Sequence, residues 1–596
     1  MPARPAGVLR GLRAPQLPRS LRTPVSGGLV AFGGWALLGL GTLAGCDPES
    51  ISPGVLPPND ALAFPHGMLL DPRVPTAAGA SCADDSQCQT GESCVASVCR
   101  TPARWMFVAN GNSDLSFNAG TLMGFDLDAF FAAVENTGAI GDQGAKLTAE
   151  TPCRRAQLQP NLVECEERFF AAADATVHMG HFASEPDGWD CEVIEVSPAA
   201  APGEERPQTR RRHCPEGEAM ILTPINGDPS ITYAYIRGGL DGGDDLEIEC
   251  GQGPQSGHPD SRRCADDFRL RYRRNDEEDI RLPREIANLH VSNDPHHPVA
   301  YAVHRVQGAL SLVRLDGLRG GRDLGDWADP LGPVPDTFEL EADPRRPAIV
   351  DYSAIFAVNN SSGGYGIAER FCDPANAPSV TNLCTRPLLY STFRFASNLA
   401  LYTIAELSPD ELGTRRCALE DDESFAAGVL DCDPRLVPLE YTNSGQLGGI
   451  PASYGDLEFS RDGENLFIVQ SAPGGLIRVN TGVDALGEPF NEPNKFVELC
   501  DGPASLALYE DGRDSFGITS CYRSALVYIV DLESMNVVKQ LTAGTGPHRI
   551  TPDLARQVVY VGNTLDNTIS VIDMARDRAS RFSQIARLGV QEPYEQ

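Results

Sequence analysis

The feature that most constrains this chain is a repeat near its C-terminal end. Gly546-Pro547-His548-Arg549-Ile550 leads through Thr551-Pro552-Asp553 to Val558-Val559-Tyr560-Val561-Gly562-Asn563, then through Asp566-Asn567-Thr568 to Ile569-Ser570-Val571-Ile572-Asp573. Short β-branched and aromatic runs divided by Pro/Asp and Asp/Asn punctuation describe a meander of strands joined by tight turns. One unit earlier, Gly502-Pro503-Ala504-Ser505 leads to Leu526-Val527-Tyr528-Ile529-Val530-Asp531. The opening prolines lie 44 residues apart and the closing aspartates 42 apart. That period suits a four-stranded propeller blade, which takes roughly 40 to 50 residues. A third unit opens at Ile450-Pro451-Ala452-Ser453, runs through Leu466-Phe467-Ile468-Val469 and closes at Leu476-Ile477-Arg478-Val479.

The C-terminal unit resembles the YVTN β-propeller repeat, and the resemblance implies blades packed around a central axis. Interrupted units follow upstream. Leu282-Pro283-Arg284-Glu285 leads to Ala300-Tyr301-Ala302-Val303, His178 to Phe182 leads to Ile221-Leu222-Thr223-Pro224, and Phe64-Pro65-His66-Gly67-Met68 leads to Trp105-Met106-Phe107-Val108. A weaker unit lies between Ile349 and Ile404. A blade cannot bury both faces alone, so several must pack together to make a core. The expectation is an all-β fold: one β-propeller over residues 61–596, of seven blades with six and eight left open, built from four-stranded antiparallel sheets with disulfide-rich loop insertions.

The N-terminus reads as an export signal. Residues 1–45 carry five arginines and no acid, then an apolar run with Val30, Phe32, Trp35, Leu37, Leu38 and Leu40. A basic head, a short apolar middle and small residues at the end describe a signal peptide. Leu43-Ala44-Gly45-Cys46 resembles the lipobox of bacterial lipoproteins, which implies acylation of Cys46 and a membrane anchor; residues 46–60, with four prolines, read as a tether.

Seventeen cysteines leave sixteen once Cys46 is set aside, an even number that suits disulfides outside the cytoplasm. Sequence proximity suggests Cys153/Cys165, Cys191/Cys214, Cys250/Cys264, Cys372/Cys384, Cys417/Cys432 and Cys500/Cys521. Residues 76–101 form a cysteine-rich insertion in the first blade, in which Cys82, Cys88, Cys94 and Cys99 lack the Cys-x2-Cys pairs of a zinc knuckle and read as two further bridges.

The formal charge is −33, and −38 once the five arginines of the leader are removed, which argues against nucleic acid as a partner. His178 and His181, followed by Glu185, Asp187 and Asp190, form the most metal-like cluster, but no His-Glu-x-x-His pattern accompanies it and no metal or other cofactor is expected. His296-His297 reads as a turn, and Asp241-Gly242-Gly243-Asp244-Asp245 lacks the ligand order of an EF-hand. Gly-x-Ser-x-Gly, a phosphate-binding Gly-x-x-x-x-Gly-Lys loop and Cys-x-x-Cys-His are all missing.

One constellation follows from the register of the repeat. Residues just after each opening proline should begin the innermost strand and crowd the funnel mouth: His66, Arg284 with Glu285, Ser453 with Tyr454, Ser505, and His548 with Arg549. Convergence of such groups is how a propeller would bind a small ligand. The functional expectation is a lipid-anchored cell-envelope protein whose propeller is a non-catalytic binding or scaffolding module for an envelope protein or glycan. The alternative is a lactonase-like hydrolase or a metal- or haem-binding enzyme with its site in the funnel.

Overall fold

A computed structural model describes residues 55–590 apart from 75–80, 83–86, 89–91, 96–97, 138–145, 158, 197–207, 228, 241–244, 254–259, 274–279, 282–284, 293–297, 306–308, 317–346, 355–362, 371–387, 395, 407–433, 444–452 and 485–488. The segment expected to be a signal peptide with Cys46, most of the expected tether, Arg284, His296, His297, Asp241, Asp244, Cys372, Cys384, Cys417 and Cys432 fall outside the described residues.

Seven antiparallel sheets follow one another along the chain, each beginning with its innermost strand. Blade 1 comprises Pro65–Leu70, Trp105–Asn110, Gly120–Asp126 and Val177–Met179. Blade 2 comprises Asp187–Trp189, Ala219–Ile225, Ser230–Arg237 and Glu247–Glu249. The inner strands of blades 3 to 7 are Ile286–Val291, Gly364–Arg370, Ser453–Phe459, Leu506–Glu510 and Pro547–Asp553.

Burial explains the sequence pattern. A middle strand is covered by neighbouring blades on both faces, so Val558–Asn563 and Thr568–Asp573 are buried at every position and read as unbroken runs. The rim strands Glu492–Glu498 and Asn536–Thr542 are exposed at nearly every position. Among the described residues, buried apolar side chains form seven clusters, and each spans two adjacent blades. One cluster joins Met106 and Val108 of blade 1 to Tyr560 and Val571 of blade 7. Seven interfaces for seven blades make a closed ring.

No blade's four-stranded meander mixes the two ends of the chain: the first uses N-terminal residues and the last C-terminal ones. Hydroxyl groups stitch successive blades at the axis instead. Thr392 Oγ1 donates to the Gly455 carbonyl (2.6 Å), Ser471 Oγ to Pro503 (3.0 Å) and Ser520 Oγ to His548 (2.7 Å). At the seam, Thr551 Oγ1 donates to Met68 O (3.1 Å) and the Phe64 N–H to Asn567 Oδ1 (2.7 Å).

The outside of the seam carries a clasp. Between its third and fourth strands, blade 1 inserts a helix, Leu127–Asn136, and a hairpin, Cys153–Arg155 with Val163–Cys165. Val163–Cys165 pairs in parallel with Gln584–Leu588, the rim strand of blade 7, and the Gly589 N–H donates to Cys165 O at 2.8 Å. The Arg556 guanidinium of blade 7 lies 5.4 Å from the Phe131 ring centre on the helix and pairs with Asp128.

Two sequence expectations are corrected. The unit expected to open at His178 does not: Val177–Met179 is the rim strand of blade 1, and the inner edge of blade 2 begins with the bridge Ala183↔Ile225 before Asp187–Trp189. The weak unit between Ile349 and Ile404 straddles two blades, since Ile349 lies on the rim strand of blade 3 and Ile404 on the third strand of blade 4. In both places a long insertion ahead of the rim strand breaks the period.

The described disulfides are Cys82–Cys94, Cys88–Cys99, Cys153–Cys165, Cys191–Cys214, Cys250–Cys264 and Cys500–Cys521. Cys153–Cys165 closes the clasp hairpin. A Cys153→Ala/Cys165→Ala variant should lose about 2–3 kcal/mol and show faster amide exchange in Gln584–Leu588 than in the inner strand of blade 4, measured by hydrogen–deuterium exchange.

Candidate functional site

The same local turn precedes the inner strand in six blades. A residue with positive φ stands at Phe64 (58°), Phe182 (56°), Glu285 (57°), Gly363 (110°), Gly502 (71°) and Gly546 (67°). Counting three residues on gives Gly67, Glu185, Asn288, Gly366, Ser505 and Arg549. In blade 5 the matching residue is Asp456, because Gly455 accepts from Thr392 of the preceding blade as His548 accepts from Ser520.

This layer is an ion cluster held across the axis. Arg549 Nη1 of blade 7 lies 2.6 Å from Glu185 Oε2 of blade 2 and 3.7 Å from Asp456 Oδ2 of blade 5. Glycine at 67 lets the inner strands approach, since a Cβ there would sit 2.4 Å from Pro186 Cδ and 2.6 Å from Glu185 Cα. Burial works against the charge of Arg549, but Glu185 and Asp456 outweigh it and hold the guanidinium more firmly protonated than usual.

The carboxylates also serve the backbone. An inner strand presents one unpaired edge to the axis, and its N–H groups need acceptors. Asp456 Oδ2 accepts from the Leu506 N–H (3.2 Å) and Oδ1 from that of Leu457 (3.0 Å), while Glu458 Oε2 accepts from Leu508 (2.7 Å) and Asp187 Oδ2 from Val291 (2.7 Å). Burial, and then the neighbouring Glu185 charge, push Asp456 up to about 7. Burial, and then Asp456, push Glu458 up to about 8.

Above this layer sits the mouth. The rings of His66 and His548 lie 4.2 Å apart, and Tyr522 approaches His548 edge-on at 6.2 Å. Burial first, and then the cations around it, push His548 down to about 4; His66 is likewise held well below its ordinary value, so both imidazoles are neutral at pH 7. Tyr365 is flanked by the guanidiniums of Arg305 and Arg394, 5.9 and 5.7 Å from its ring centre. Among the described residues, the buried atoms His66 Nδ1, His548 Nδ1, Arg305 Nε, Arg549 Nε and Ser505 Oγ have no hydrogen-bond partner.

Of the residues singled out in the sequence, the structure brings His66, His548 and Arg549 together and places Ser505 in the layer of Arg549. Glu285 stands exposed in the turn, its carbonyl accepting from the Arg305 N–H at 2.7 Å. Ser453 starts its strand three residues before Asp456. Tyr454 is not at the mouth: it is fully buried in the apolar cluster between blades 4 and 5.

The metal-like cluster disperses. His178 is buried between Asp260 (2.8 Å) and Asn59 (2.9 Å), whereas His181 meets Asn112 at 3.0 Å. Glu185 goes to Arg549 instead. Sequence reasoning missed Tyr365, Arg305, Arg394, Asp456 and Glu458 as site residues. A signal for Tyr365 was present, since it follows Gly363 by two residues just as His548 follows Gly546.

No protein-family model and no curated protein sequence matches this chain. Among solved structures, the chain is similar to the hydrazine synthase of Kuenenia stuttgartiensis (10% identity, 80% of this chain and 94% of that one, TM-score 0.37). It is similar to the periplasmic gluconolactonase of Pseudomonas aeruginosa (12% identity, 75% and 84%, TM-score 0.34). It is also similar to a dihydro-haem d1 dehydrogenase (11% identity, 63% and 55%, TM-score 0.31). Likeness this distant says nothing of activity.

Arg549→Ala would leave Glu185 and Asp456 facing each other unpaired, and is expected to cost about 3–5 kcal/mol at neutral pH in denaturant unfolding. The pH dependence has two arms. Glu458 keeps its proton in the fold up to about 8 against an ordinary 4.5, so the native state binds the extra proton and stability falls as pH rises through that window. Glu458→Gln should flatten this fall in melting temperatures. His548 protonates at about 4 in the fold against 6.5 unfolded, so stability also falls as pH drops through that range. His548→Gln should lessen that loss and leave the share contributed by His66, whose proton affinity burial also lowers.

Proposed function

We propose that this chain is a lipid-anchored protein of the bacterial cell envelope whose propeller acts as a binding module, with its ligand site at the mouth of the central channel. The observation that carries the reading is the convergence of His66, His548, Arg305, Arg394 and Tyr365 from four blades on one mouth, where His66, His548 and Arg305 keep buried nitrogens without a hydrogen-bond partner among the described residues. Buried polar groups are normally hydrogen-bonded, so such a cluster is suited to a solute that completes it. The described disulfides support an oxidising compartment. Among the described residues no helix is long and apolar enough to cross a membrane, and the anchoring is carried by the lipobox-like sequence at Cys46.

One observation favours the hydrolase alternative. A carboxyl group that titrates near 7, as Asp456 does, is matched to general acid–base work. Its oxygens, however, already accept from Leu457 and Leu506 and face Arg549, so Asp456 acts as a strut between blades 5 and 6. Glu458 is tied in the same way to Leu508. The geometry therefore favours binding over turnover.

The test is to purify the protein from membranes of a bacterial host, measure its intact mass, and screen small solutes for stabilisation. Acyl mass on Cys46, oxidised cysteines and a solute whose stabilisation is lost in His548→Ala are the expected results. Saturable turnover of an ester or lactone, abolished by Asp456→Asn in a folded protein, would overturn the binding-module reading.

A further inference from the structure

We infer that the channel mouth is a site for one small oxyanion, a carboxylate or a phosphate, held by the guanidiniums of Arg305 and Arg394 and hydrogen-bonded by His66 and His548. The inference rests on the binding-module reading and names its ligand class.

The two arginines are built into equivalent places. Arg305 directly follows the second strand of blade 3, Val299–His304, and Arg394 the second strand of blade 4, Leu388–Phe393. Each donates its backbone N–H to the turn that opens its own blade, Arg305 to Glu285 O (2.7 Å) and Arg394 to Gly363 O (2.6 Å). Both guanidiniums then reach the Tyr365 ring. A pair of guanidiniums anchored at one height beside one aromatic ring is an arrangement for an oxyanion, which Arg grips with two parallel N–H groups.

Charge balance distinguishes this pair from Arg549. Arg549 is neutralised from below by Glu185 and Asp456, whereas among the described residues neither Arg305 nor Arg394 is ion-paired. Beside burial, which acts most strongly, the Arg305 charge helps to keep His66 neutral, and the charges of Arg305 and Arg394 do the same for His548. A neutral imidazole offers one donor and one acceptor, so the unpartnered Nδ1 atoms can complete hydrogen bonds to an anion or to a hydroxyl beside it.

The size of the ligand follows from the contrast with the rest of the molecule. The chain carries −33 overall, so a polyanion would meet repulsion along its length. That field is screened beyond about 8–10 Å at physiological salt, and a solute of a few atoms inside the mouth meets chiefly the local cations.

The experiment is calorimetric titration of the full-length protein with succinate and, separately, inorganic phosphate, at about 0.05 M and about 0.5 M salt. One saturable site per chain for either probe supports the inference, weaker at high salt and weakened about tenfold or more by Arg305→Gln/Arg394→Gln with the melting temperature held. Which probe binds separates carboxylate from phosphate. Binding of neither, or an affinity unchanged in the double variant, overturns it. A neutral solute that is lost in His548→Ala when neither anion binds would overturn the oxyanion inference and leave the binding module standing; no solute of any charge lost there would remove both.

Discussion

A propeller blade is too thin to cover its own faces, so everything in this molecule depends on seven apolar interfaces closing into a circle. The seam between blades 1 and 7 is the demanding one, because neither four-stranded meander takes a strand from the other end of the chain and the pairing across it lies outside, in the clasp. Its apolar cluster holds Met106, Val108, Phe125 and Phe130 against Tyr560, Ile569 and Val571, and the clasp adds a parallel strand and a capped helix outside it. The insertion in blade 1 thereby both fastens the ring and covers the outer edge of the last blade, which would otherwise be an open template for pairing.

The same closure makes the channel chemically unusual. Seven inner strands turn their unpaired edges toward one axis, and burial first, then the closeness of neighbouring carboxylates, raises the proton affinity of Glu185, Asp456 and Glu458. Arg549 offsets this by bridging Glu185 and Asp456 from across the ring. The two layers divide the labour: below, acids and one arginine hold strands together; above, among the described residues, two arginines carry charge without an ion pair and His66, His548 and Arg305 keep buried nitrogens without a partner.

The sequence was most readable where its turns use the residues that turns favour. Blades 5 to 7 announce themselves through Gly502-Pro503, Gly546-Pro547 and Asp462-Gly463. In blades 1 to 3 the positive-φ position that opens the inner strand is held by Phe64, Phe182 and Glu285, residues that rarely take it, so the signature is hidden. The site divides the same way. His66, Ser505, His548 and Arg549 follow the opening turn and were accessible by register. Asp456 was not, because Pro451 stands five residues before it while Pro547 stands two before Arg549. Arg305 and Arg394 come from a different turn, after the second strand, where nothing in the repeat marks a residue as facing the axis. Tyr454, read from the proline alone, went to the core instead.

The most direct measurement is an experimental structure of the protein isolated from a bacterial host with no solute added, at a resolution that shows ordered solvent. The expected result is a single bound solute bridging His66, His548, Arg305 and Arg394 above an intact Glu185–Arg549–Asp456 bridge. A mouth in which protein side chains and water satisfy each of those atoms would contradict the account.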